Sequence, residues 1–368
     1  MIANKWISNL PVYEPGKPIE EVARELGFEN IDEIIKVASN ENELGPSPKA
    51  LQAMAAHAKN MHRYPDGDCF ALKAKTAAKL GVDKKNLVFG NGSNELIEFL
   101  GHTFLNPASN MVISDGSFAV YRLVAALFNS TAIVTPMKNF GHDLDAMLAA
   151  ITPETRMVIV CNPNNPTGTA VTPEQLDAFI EKIPPDVLAV FDEAYLELMP
   201  DGTAPDLLKY IHAGKENVVL LRTFSKAYGL AGLRIGYAIA HEKTAALFNR
   251  VRQPFNVNLM AAEAALAALE DEDHLANTRR TNAAGLKLFY ETLPKIAGGL
   301  EFVSSFANFI LIKTGDGRSV FQALQKRKVI VRPMDGYGLP DWIRITTGTP
   351  EQNVKVLHEL KDILDQNH

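Results

Sequence analysis

Lys226 is the residue of this 368-residue chain whose setting most invites chemistry. It lies in Thr223-Phe224-Ser225-Lys226-Ala227-Tyr228-Gly229-Leu230-Ala231-Gly232-Leu233-Arg234-Ile235-Gly236, directly after the apolar run 218–221. A lysine at such a place is ordinarily a solvated charge, but this one stands among small, apolar and hydroxylated residues with an arginine close behind. A desolvated or cation-crowded amine sheds its proton and becomes a nucleophile toward carbonyl carbon. In Phe191-Asp192-Glu193-Ala194-Tyr195 an apolar run ends on two carboxylates, which suits a strand emerging into solvent, a metal pair or a buried acid with a task. Cys161-Asn162-Pro163-Asn164-Asn165-Pro166-Thr167-Gly168, taken alone, is a turn. Gly90-Asn91-Gly92-Ser93-Asn94-Glu95 opens a helical pattern, and the free N–H groups of a helix start attract anions. It matches neither a P-loop nor a dinucleotide fingerprint, and by itself an ordinary capped helix explains it.

Elements of a definite kind must position these residues. Short apolar runs at 87–90, 111–114, 132–136, 157–161, 188–191, 218–221 and 236–240 alternate mostly with amphipathic segments. That pattern predicts an α/β fold with a largely parallel sheet covered by helices, and several of the candidates fall at strand ends, where open sheets place ligands. Thr172-Pro173-Glu174-Gln175 predicts a helix start with a capping box. Residues 259–298 read as a long helix that could bridge two domains. The segments FANFILIKT, VIVRP and WIRIT beyond about residue 300 predict a smaller α+β domain. The expected division is an amino-terminal arm over 1–45 packing with the small domain, a large domain over 46–260, and a linker helix with the small domain over 261–368. The arm, rich in Pro, Gly and Asn, reads as partly irregular with one helical piece near Pro18–Leu26.

Composition narrows the function classes. A net charge of -6 without a basic block argues against a nucleic-acid-binding face. No apolar stretch is long enough to span a bilayer, and the first residues lack the apolar core of a signal peptide, so a cytoplasmic protein is expected. Cys69 and Cys161 are far apart and read as free buried thiols. The nine histidines form no HExxH or similar pair, and no catalytic metal is inferred.

Taken jointly and in this order, NNPTG, DEAY and SKAYGLAGLRIGY make the chain resemble the fold-type I aminotransferases, and within them the histidinol-phosphate aminotransferases. The similarity runs from LPVYEPGKP and ASNENELGPSP to WIRITTGT. It implies a pyridoxal-phosphate-dependent transferase fold whose large domain has a mostly parallel seven-stranded sheet, with pyridoxal 5'-phosphate as cofactor. By resemblance Lys226 carries the cofactor as a Schiff base and shuttles the proton during transfer, and Asp192 keeps the ring nitrogen protonated. Asn165 and Tyr195 correspond to partners of the phenolic oxygen, with Tyr195 counted beside Lys226 and Asp192 among the catalytic positions. Phe118 matches the ring-stacking aromatic. Ser93, Asn94, Ser225 and Arg234 match the phosphate site. Tyr64 matches a tyrosine that reaches the phosphate from a neighbouring subunit, which implies a homodimer with shared sites.

Substrate choice rests on Arg344 and Arg332. Arg344 resembles the residue that clamps the substrate carboxylate, since a guanidinium fork suits a planar anion. Histidinol phosphate carries a dianion where an amino acid has its carboxylate, so both arginines are expected to take it, with glutamate (2-oxoglutarate in reverse) using the same pair. Tyr13 matches an arm residue that covers the substrate. Two departures bear on substrate rather than cofactor: Glu43 stands where relatives usually have proline, and Gly116 replaces a bulkier residue. The alternatives are an aromatic amino-acid aminotransferase, a threonine-phosphate decarboxylase on the same lysine, and a cofactor-binding regulator. The last needs a helix-turn-helix extension that this sequence does not show. A nicotinamide dehydrogenase would need GxGxxG after an early strand, and none occurs.

Overall fold

The computed structural model describes residues 4–10, 12 and 16–365. All seven apolar runs form strands of one sheet, in the spatial order Leu87–Gly90, Gly236–Ala240, Val218–Thr223, Leu188–Asp192, Thr155–Cys161, Asn110–Ser114, Thr131–Thr135. Every pairing is parallel except those of Gly236–Ala240, which runs antiparallel to both neighbours. Side chains alternate across the sheet with period two. Met111, Ile113, Ile159, Val190 and Leu221 pack into one apolar cluster, and Val112, Val158, Phe191, Leu220 and Ile239 into another. The sheet is therefore buried on both faces, which is why its strands read as unbroken apolar runs.

Local chemistry sets where the helices begin. Thr172 accepts from the Gln175 amide and Gln175 reaches back to Thr172 N–H, the capping box expected for the helix Pro173–Lys182. Asn258 caps Leu259–Ala268, and Asp271 caps Glu272–Thr292. The single long helix expected over 259–298 is thus two helices and a short 3-10 turn, Leu293–Lys295. Its continuous apolar and helix-forming pattern concealed a break at Asp271, whose side chain satisfies the His274 amide and starts a new helix.

A second, four-stranded sheet orders Phe302–Val303, Phe309–Lys313, Trp342–Thr346 and Arg332–Pro333, all antiparallel. Its core is lined by Ile310, Ile312, Ile343 and Ile345 together with Phe289 and Leu360 from the helices Glu272–Thr292 and Pro350–Asp365. The amino-terminal segment is tied to this region: Ile35–Lys36 pairs in parallel with Val329–Ile330, and the Thr346 amide donates to Val37 O at 2.8 Å. The expected helix near Pro18–Leu26 spans Ile19–Leu26. Among the described residues no helix is long and apolar enough to cross a membrane.

Candidate active site

The strand ends converge because the parallel pairing sets Cys161 beside Asp192 and Asp192 beside Leu221. The turn after Cys161 is a buried structure rather than a surface reversal. Asn162, Asn164, Asn165 and Thr167 are all buried. Asn162 accepts from the Val171 amide at 2.7 Å, and Asn164 donates to Gly116 O and Thr167 Oγ1. Gly168 has φ 78°, and a Cβ there would lie 2.3 Å from Ser305 Oγ, so the turn can close on the second sheet's lead-in segment only as glycine.

These ends open into a cavity of about 220 Å³. Of the expected residues, Ser93, Asn94, Phe118, Asn165, Asp192, Tyr195, Ser225, Lys226, Arg234, Arg332 and Arg344 all line it. Lys226 Nζ donates to Ser39 O at 3.3 Å and lies 5.7 Å from the centre of the Tyr195 ring. Burial, then the Arg344 and Arg234 guanidiniums, pull its ammonium down to about 8, against the opposing pull of Glu41 and Asp192. Asp192 is buried too, and desolvation pushes it up to about 6. Tyr121 Oη, donating at 2.7 Å to Oδ2, and the Ala194 amide, at 3.2 Å to Oδ1, hold it down from going further. Tyr195 Oη accepts from Asn40 Nδ2 at 2.9 Å, and burial raises its phenol above the ordinary range.

One end of the cavity gathers groups that attract anions. The helix Ser93–Phe104 starts from Gly92 with no side chain capping its first amides. Arg234 leans over that start: a Cβ on Gly92 would sit 2.5 Å from Arg234 Nη2. Arg234 Nη1 also reaches Ser225 Oγ at 3.5 Å, and Gly236 leaves room for the Ser93 amide, which a Cβ would approach to 2.8 Å. A guanidinium, a hydroxyl and a helix amino terminus thus meet at one point. At the other end, Arg332 and Arg344 are directly paired residues of neighbouring strands, so both side chains project from the same face. Arg344 donates to Asn165 Oδ1 and to Ala38 O, and its guanidinium lies 5.1 Å from the Phe309 ring.

One expected residue is not brought into the cavity. Tyr64 is 83% exposed and stacks on Phe255 with ring centres 4.8 Å apart. Tyr13 lies outside the described residues. Conversely, Asn40, Thr223 and Tyr337 line the cavity and were not singled out in the sequence. Asn40 belongs to the ASNEN segment, whose likeness to relatives was the only signal for it.

Similarity to known proteins agrees with this geometry. The family of class I and II aminotransferases matches residues 32–360. A histidinol-phosphate aminotransferase of Akkermansia muciniphila is 48% identical over 363 residues, covering 98% of each chain. One from Moorella thermoacetica is 48% identical over 359 residues, covering 97% of this chain and 92% of the relative. The structure of histidinol-phosphate aminotransferase from Sinorhizobium meliloti in complex with pyridoxal-5'-phosphate superposes with a TM-score of 0.88 at 28% identity, covering 100% of this chain and 98% of that one. With a half-buried lysine, a buried aspartate and two paired arginines in one cavity, this chain belongs to the aminotransferase class I and II family.

Proposed function

We propose that this chain transfers the amino group of histidinol phosphate to 2-oxoglutarate with pyridoxal 5'-phosphate as its cofactor. The observation that carries the reading is the half-buried Lys226 amine, pulled down to about 8, in one cavity with Asp192, the paired arginines Arg332 and Arg344, and an uncapped helix start. The residues fit the cofactor. The helix start, Ser225 and Arg234 form a phosphate cradle that a Cβ on Gly92 would block. When bound, the cofactor supplies the electron sink that lets a proton leave the carbon bearing the amine.

The chain's own groups do the rest. Lys226, whose ammonium is pulled down to about 8 and so gives up its proton more readily than an ordinary lysine, is a nucleophile and then a base that takes and returns that proton. Asp192, with each oxygen held by a donor, is the anionic partner for a protonated ring nitrogen. Asn165 and Tyr195 supply polar contacts for the phenolic oxygen, and Phe118 an aromatic face for the ring. Arg332 and Arg344 offer two guanidinium forks to a phosphate dianion, or to the carboxylate that glutamate carries in its place. Single-turnover reaction of the holoenzyme with L-histidinol phosphate and with L-phenylalanine tests the substrate. A much higher specificity constant for the phosphate supports the reading, and preference for phenylalanine replaces it with an aromatic aminotransferase.

The division into an arm over 1–45, a large domain over 46–260 and a small domain beyond is supported by the separate cores beneath the two sheets. A homodimer is supported by the exposed Tyr64, stacked on the half-exposed Phe255, with Leu51, Met61 and Phe70 also exposed nearby in sequence. Mixed dimers of Lys226→Ala and Tyr64→Ala chains should regain one intact site. Failure to recover activity on mixing would remove Tyr64 from a shared site. The two buried free thiols suit a reducing, cytoplasmic setting.

A further inference from the structure

Tyr121 is the largest of the fully buried side chains in this region, and nothing assigned above explains its hydroxyl. It sits in the first turn of the helix Val120–Leu127, three residues after Phe118. Its Oη donates to Asp192 Oδ2 at 2.7 Å, and its ring meets the Phe118 ring edge-on, with centres 5.7 Å apart and planes at 87°. Phe118 and Asp192 both line the cavity; Tyr121 does not. It therefore stands behind the site and touches two of its walls.

We propose that Tyr121 is a positioning residue: its phenol holds the Asp192 carboxylate anionic and oriented, while its ring braces Phe118, tying the ring-nitrogen partner to the stacking aromatic. The inference rests on the pyridoxal phosphate reading above. A buried carboxylate can keep a neighbouring ring nitrogen protonated only if the ion pair is favoured over the neutral pair in which the proton has passed to the carboxyl oxygen. Burial works toward the neutral pair, because it penalises both charges. A phenol O–H donated to the carboxylate stabilises the anion and not the acid, so it works toward the ion pair. The other groups acting on Asp192 divide. The Ala194 amide and Lys226 favour the anion, while Glu193 disfavours it. Cys161 and Tyr195 also face this cluster, and burial keeps both thiol and phenol in their neutral, protonated forms. Tyr121 is the only side chain hydrogen-bonded to the Asp192 carboxylate among the described residues.

The experiment uses Tyr121→Phe, which keeps the buried ring and its edge contact and removes one oxygen. Holoenzyme carrying pyridoxal phosphate labelled with nitrogen-15 at the ring reports protonation through the chemical shift. Wild type should show a protonated ring nitrogen near neutral pH, and Tyr121→Phe should move toward the unprotonated value. The single-turnover amine-transfer rate should fall about ten- to hundredfold, the scale of one hydrogen bond to a charged group, while the half-saturating donor concentration stays within about threefold. In the full chain without cofactor, the Asp192 carboxyl titration followed by carbon-13 should move upward from about 6 by one to two units on the same grounds. A Tyr121→Phe enzyme with unchanged nitrogen-15 shift and unchanged rate overturns the proposal. Phe118→Leu separates hydrogen bonding from packing: it should weaken cofactor affinity yet leave the shift in place. If Phe118→Leu displaces the shift as far as Tyr121→Phe, the role assigned to the phenol is wrong. A wild-type holoenzyme with a neutral ring nitrogen overturns both this inference and the role of Asp192.

Discussion

The two faces of the sheet at the end of Leu188–Asp192 each bury an acid, one residue apart, and leave its charge to opposite ends. Asp192 follows the alternation of Leu188 and Val190 and opens on the cavity; Glu193 follows Ala189 and Phe191 to the other face. There Arg222 Nε donates to Glu193 Oε2 at 2.8 Å, both side chains being almost fully buried, with Tyr237, Tyr228 and Glu197 around them. The charge of Glu193 is answered by a built-in cation. That of Asp192 meets only neutral hydrogen-bond donors in contact, with its cation to be supplied by what binds. A buried ion pair is maintained by mutual neutralisation, whereas a site acid must be left partly unanswered to be of use.

The comparison can be tested from both sides. Removing the nucleophile has the largest expected effect: Lys226→Ala should lower turnover by about a thousandfold or more and abolish the covalent cofactor absorbance band. A variant with wild-type turnover would end the lysine mechanism. Asp192→Asn comes next, with amine transfer slower by about 10²–10⁴-fold although cofactor still binds. Its stability should move the other way. Burial raises Asp192 from 3.8 to about 6, so the folded chain binds this proton more tightly than the unfolded one. That group's contribution to stability is therefore full at acid pH and lost as the pH rises from about 4 to about 6. Near neutral pH the cofactor-free Asp192→Asn chain should melt at the same temperature as wild type or higher, and a clear fall would contradict the unanswered charge.

On the far face the signs reverse. Arg222→Met leaves Glu193 buried without its cation and should cost about 3–5 kcal/mol by denaturant unfolding, with the rate per folded, cofactor-loaded molecule little changed. Equal losses in rate and stability would merge the two faces into one network. Arg332→Ala should weaken histidinol phosphate about tenfold or more relative to phenylalanine, since only the dianion needs both forks. Similar losses for both donors would break the phosphate assignment. The smallest effect belongs to a residue remote from either face: Thr172→Ala removes a capping box and should cost about 1 kcal/mol with no change in pH profile.

The seven strands, the Thr172 cap and the cluster of Lys226, Asp192, Asn165 and Arg234 were legible in sequence. Buried parallel strands need continuous apolar runs, and the strand-end motifs are contiguous stretches of chain. The break at Asp271 was not, because an aspartate inside a helical pattern signals a cap only once its side chain is seen to turn onto the His274 amide. Asn40 and Tyr121 were also missed, since their partners, Tyr195 and Asp192, lie 155 and 71 residues away in sequence.

By itself the sequence determined most of the element pattern, the family and the candidate groups for the chemistry, because periodicity and motif are properties of neighbouring residues. Which acid faces the cavity, what holds it anionic, and that Arg332 and Arg344 share one sheet face were decided by the tertiary structure. Burial, strand register and long-range hydrogen bonds arise only when distant segments pack together. That packing desolvates Lys226 beside Arg344 and pulls it down to about 8, and it desolvates Asp192 and pushes it up to about 6 against the hold of Tyr121.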